Sequence, residues 1–73
     1  MKNKVNFKSY SAELLAYFLK FDNNNIIIVN YNLPLHVQRE AIAHMNKHIN
    51  SDYNVGVLKK GFIFFGSKQT EAI

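Results

Sequence analysis

Four residues able to handle protons or metal ions recur at four-residue steps: His36, Glu40, His44 and His48. On a helix, residues i and i+4 are neighbours, so the set forms a slowly drifting polar stripe. His44 and His48, one turn apart, have the spacing to hold a metal ion jointly through imidazole nitrogens. A full tetrahedral site needs further ligands. Glu40 or Asp52 is available as a third, but the spacing demands neither. The stripe therefore reads as a solvated helix flank with a weak Glu40–His44 pair, and no metal or cofactor is expected. The remaining carboxylates, Glu13, Asp22 and Glu71, form no pair suited to acid–base work.

Arg39 and His44 enclose four residues, a spacing that resembles the arginine–histidine motif of HEPN-type ribonucleases. The resemblance implies a guanidinium stabilising phosphate charge and an imidazole transferring protons. Those domains are all-helical and longer, whereas this chain carries convincing strand patterns. The glycines are Gly56, Gly61 and Gly66 alone, which leaves no glycine-rich phosphate loop. Without cysteine there is no thiolate nucleophile, thiolate zinc site or disulfide. The expectation is that the protein is not an enzyme.

The segment Lys59-Lys60-Gly61-Phe62-Ile63-Phe64-Phe65-Gly66 carries a second kind of chemistry. Neighbouring side chains of a strand point to opposite faces, so Phe62 and Phe64 would oppose Ile63 and Phe65. Lys60-Gly61-Phe62-Ile63-Phe64 resembles the RNP1 signature of RNA-recognition-motif domains. That resemblance implies Phe62 and Phe64 as rings that stack on bases. Ile63, Phe65 and Ser67 depart from the signature. A hairpin glycine explains Gly61 equally well, and a core or interface strand is the expected reading.

The elements that must position these groups follow from pattern. Val5–Lys8 alternates as a short half-buried strand. Ser9 and Ser11 offer N-caps to a helix spanning Ala12–Phe21, whose apolar stripe is wider than one buried face needs. Asp22–Asn25 is a turn cluster, and Ile26–Val29 reads as a central strand, apolar on both faces. Asn32 is placed to cap a second helix over Leu35–Asn50, with Pro34 in its first turn. Tyr53–Leu58 and Phe62–Phe65 form a hairpin, with Gly61 left-handed in its loop. The expected fold is α+β in two layers. Its four-stranded mixed sheet would carry two helices on one face, in the order β-α-β-α-β-β. Residues 1–66 would be one small domain and 67–73 a C-terminal tail.

The chain has 73 residues and a formal net charge of +4, its basic residues scattered rather than clustered. No apolar run is long enough to span a membrane, and no signal-like block follows the basic start. The lack of cysteine favours a reducing, cytoplasmic setting. Two helices would cover one sheet face only, so an apolar set should remain on the other and mark an interaction site. The expected contact is built from Phe62, Ile63, Phe64 and Phe65, with Lys59 and Lys60 beside them. The expected partners are a second copy of the chain, a larger host protein or both, with single-stranded RNA or DNA as the alternative. The composition suits a phage or mobile-element accessory protein that occludes a host enzyme or defence complex, of anti-CRISPR or anti-restriction type.

Overall fold

The computed structural model describes residues 2–22, 24–50 and 53–67. Strands β1 (Lys2–Lys8), β2 (Leu14–Phe21) and β3 (Asn24–Asn30) come first, followed by helix α1 (Leu35–Ile49). Strands β4 (Val55–Lys59) and β5 (Ile63–Ser67) complete the order. The five strands form one mixed sheet, ordered β1-β3-β2-β4-β5. Only β1 and β3 pair in parallel; β2–β3, β2–β4 and β4–β5 are antiparallel. Among the described residues the fold is thus α+β with five strands and one helix, which corrects the expected four-stranded sheet with two helices in the order β-α-β-α-β-β.

The correction falls on Leu14–Phe21, expected as a helix and observed as the central strand. Its apolar residues serve both faces of the sheet. Phe18 is fully buried under the helix, while Leu19 and Phe21 point the other way and are 38% and 67% exposed. A wide apolar stripe and a two-sided strand look alike in sequence, because short apolar runs lack a decisive period. The turn that follows settles the matter. Phe21 pairs with Asn24 across a two-residue loop, and Asp22 takes the left-handed conformation at φ 55 that such tight hairpins require. A register shift between Leu14 and Ala16 then lets the consecutive residues Leu15 and Ala16 both be buried.

Helix α1 begins after Pro34, whose ring suits an N-terminus, but no side chain caps it. Asn32, expected as the cap, instead donates from Nδ2 to Ser9 Oγ at 2.6 Å and to the Tyr10 carbonyl at 3.0 Å. Gln38 secures the entry to the helix by donating to the Leu33 and Tyr31 carbonyls at 2.8 and 3.2 Å. Ala41, Met45 and Ile49 recur at four-residue intervals and meet Ala16, Phe18, Ile27, Val29 and Leu58 in the core. The helix lies over β2, β3 and β4. Val5 and Phe7, on the helix side of β1, are consequently 39% and 51% exposed.

Asn30 joins three segments and is fully buried. Its Oδ1 accepts from the backbone N–H of Tyr10 (3.1 Å) and of Asn32 (3.0 Å). Its Nδ2 donates to the Ser11 and Leu14 carbonyls, both at 2.8 Å. An amide with two acceptor lone pairs and two N–H donors is fully used by this set.

Candidate binding face and aromatic cluster

Residues opposite one another in a sheet share a face, so the register assigns each side chain. Phe64 pairs with Leu58 and joins the core side. Phe65 pairs with Val57, which pairs with Tyr17, which pairs with Ile28. One row of the uncovered face is therefore Phe65-Val57-Tyr17-Ile28-Asn6, and the adjacent row is Ser67-Val55-Leu19-Ile26-Lys4. Phe65 and Ile63 on this face are 57% and 54% exposed, and Val55 is 38% exposed. Lys4 and Lys8 on β1 and Lys59 on β4 share the face by alternation, with Lys59 Nζ 5.8 Å from the Phe65 ring centroid. No carboxylate belongs to these strand positions.

At one end this face is partly covered. Tyr10 reaches over from the β1–β2 connection, its ring edge-on to Tyr17 at 5.8 Å between centroids. The two phenol oxygens are 2.6 Å apart. Tyr17 titrates above its ordinary value because the Tyr10 hydroxyl bonds to it, and burial acts in the same direction. The Asn30 bond to the Tyr10 N–H holds this connection in place.

The expected contact segment is divided by the sheet. Ile63 and Phe65 lie on the uncovered face, and Lys59 lies beside them. Lys60 is exposed in the turn. Phe62 and Phe64 lie on the helix side, packed against the core. Strand β5 starts only at Ile63, and Phe62 belongs to the turn with φ 59, following Gly61 at φ 84. A left-handed conformation is unusual for a large side chain. Here the ring is packed against the core and lies near His44, at 5.9 Å between centroids. Base stacking by Phe62 and Phe64 thus finds their rings turned toward the helix, not presented on an open sheet surface.

Phe64 stands at the centre of an aromatic cluster. The His48 ring stacks on it at 3.7 Å and an interplanar angle of 4°. Tyr53 meets it edge-on at 5.3 Å, and Phe18 lies nearly parallel at 6.2 Å. Glycines make room beneath: a Cβ at Gly56 would collide with Phe18 and Phe64, and one at its pairing partner Gly66 with Tyr53 and Phe64. His44 and His48, expected on a solvated flank, are half-buried and face each other with Nε2 atoms 3.0 Å apart. The His48 imidazole titrates below its ordinary value, first through burial and then through the nearby charges of His44 and Lys47.

Pattern alone did not bring Tyr17 and Leu19 to this platform, because it assigned β2 to a helix, and it left open which face of the expected Tyr53–Leu58 strand, and so Val55 and Val57, stays uncovered. The unneeded width of the Leu14–Phe21 apolar stripe was the available signal. Among the described residues there is no cleft or pocket, no group of three or more metal-ligating side chains, and no helix long and apolar enough to cross a membrane. Comparison with known proteins finds no matching family model, no matching curated protein and no matching solved structure.

Proposed function

We propose that the protein is a non-catalytic binding module that docks the uncovered face of its sheet against another protein and acts by occlusion. The observation that carries this reading is the exposure of Phe65, Ile63, Phe21, Leu19 and Val55 on a face that the helix leaves bare. A contiguous apolar surface of this kind marks an interaction site, and aromatic residues carry much of the energy in such contacts. Lys4, Lys8 and Lys59, with no carboxylate among the strand residues beside them, favour a partner whose rim is acidic. Occlusion requires no reacting group and suits an accessory protein of a phage or mobile element working on a larger host protein in the cytoplasm. A second copy of the chain can occupy the same face, since a two-fold contact buries one patch twice.

Light scattering coupled to gel filtration, run over a dilution series, reads self-association through this face. Phe65→Ser together with Leu19→Ser should abolish it and leave the circular dichroism unchanged. The competing occupant is single-stranded nucleic acid, with Phe65 and Phe21 as stacking rings. Phosphate contacts release counterions, so that binding would fall steeply with salt. Titration of fluorescent single-stranded RNA and DNA at two salt concentrations separates the two. Tight, salt-sensitive binding lost in Phe65→Ser would overturn the protein-docking reading.

A further inference from the structure

We propose that His44 and His48 form a chelating site for a divalent d-block cation of the copper, nickel and zinc class, with two imidazole Nε2 atoms as the protein ligands and water completing the coordination. The site lies on the helix side of the molecule, away from the uncovered sheet face, so it stands or falls independently of the docking proposal.

The geometry is that of a chelate. Nitrogens bound cis to one such metal at about 2.0–2.1 Å lie roughly 2.8–3.4 Å apart, the range running from square-planar to tetrahedral angles. The two Nε2 atoms are 3.0 Å apart. Their ring centroids are 4.8 Å apart with planes inclined at 43°, so the ring bodies diverge while their tips converge. Neutral imidazole is the ligand type that suits these cations, with affinity rising towards copper.

The rings are also held before any metal arrives. His48 stacks on Phe64 and meets Tyr53 edge-on at 6.3 Å. His44 has Phe62 at 5.9 Å and Phe64 at 6.5 Å. The left-handed turn at Phe62 places an aromatic ring beside a ligand at some conformational cost, which is where such outliers gather. Holding ligand rings from behind cuts the ordering cost of binding. In the metal-free protein one imidazole donates its Nε2–H to the other. Binding requires that proton to leave Nε2 by exchange with solvent, so that both Nε2 atoms face the metal. Lys47 opposes a cation here and limits affinity.

The test is calorimetric titration of the untagged, chelator-treated chain with copper(II), nickel(II) and zinc(II) chlorides, paired with imidazole nitrogen NMR. One cation per chain is expected, tightest for copper, with the Nε2 resonances of both rings displaced. His44→Gln and His48→Gln should each weaken copper binding about tenfold or more, because losing one ring removes the chelate. His36→Gln, on the same helix but outside the pair, should leave it unchanged. Because His48→Gln also removes the Phe64 stack, the wild-type NMR displacement and the His44→Gln variant decide the case. Binding no tighter than about 1 mM, unmoved Nε2 resonances, or equal weakening by His36→Gln would each overturn the proposal.

Discussion

Replacing Asn30 should unfold much of the molecule's stability margin at a single amide. The side chain is fully buried and makes four hydrogen bonds to backbone groups of Tyr10, Asn32, Ser11 and Leu14. Asn30→Leu keeps the volume and takes a partner from two N–H groups and two carbonyls, of which the Ser11 carbonyl keeps the Leu14 N–H at 3.2 Å. Each such bond contributes a net of about 1 kcal/mol, more where the orphaned group stays away from water. A loss of about 3–5 kcal/mol follows, against a total of about 5–10 kcal/mol for a chain of this size. Asn30→Asp is the sharper probe. It retains both acceptor bonds but turns an oxygen towards the Ser11 and Leu14 carbonyls and buries a charge, so it should cost at least as much at neutral pH. Its deficit should shrink as pH falls, because the protonated acid regains one donor. Urea denaturation followed by circular dichroism reads both variants. With a slope near 1 kcal/mol per molar, the midpoint should drop by about 3 M or more, with the slope unchanged. A loss below about 1 kcal/mol for Asn30→Leu, with Asn32→Ala costing as much, would refute the claim that Asn30 ties these segments together.

Gly56→Ala should destabilise by about 1–3 kcal/mol, since its methyl group meets the Phe18 and Phe64 rings within a packed core; thermal melts check this, and a neutral result would show that the cluster is loose. Gly61→Ala, at φ 84, should cost about 1 kcal/mol through backbone strain alone, measurable in the same melts. Tyr17, raised by Tyr10, favours its neutral form in the folded protein. That stabilisation is complete below the ordinary tyrosine value near 10 and disappears as pH rises through the higher folded value. Ultraviolet titration of tyrosinate should show one late-titrating phenol, shifted to lower pH in Tyr10→Phe.

Much of the architecture is written locally. Helix α1 follows from apolar residues at Ala41, Met45 and Ile49, and the β4–β5 hairpin from Gly61. Strand β3 follows from four consecutive β-branched residues, which suit an interior strand with apolar side chains on both faces. The surplus of apolar side chains also requires an uncovered surface. What sequence alone could not decide is anything that depends on partners far along the chain. Leu14–Phe21 is rich in leucine and aromatic residues that suit helix or strand, and it becomes the central strand because β3 and β4 pair along its two edges. Asn30 looks like a polar interruption until the β1–β2 connection closes over it, bringing partners 16 and 20 residues away. Which rings of Phe62-Ile63-Phe64-Phe65 are buried depends on where helix α1 lies, and burial of the core beneath Met45 and Ile49 sets that position. His44 and His48 are neighbours by helical spacing alone. Their convergence at 3.0 Å is part of a packed cluster in which Phe64, reached only by folding β5 against β4, stacks on His48. Local propensity is a matter of tenths of a kcal/mol per residue, and it yields wherever pairing and burial across the sheet contribute several times more.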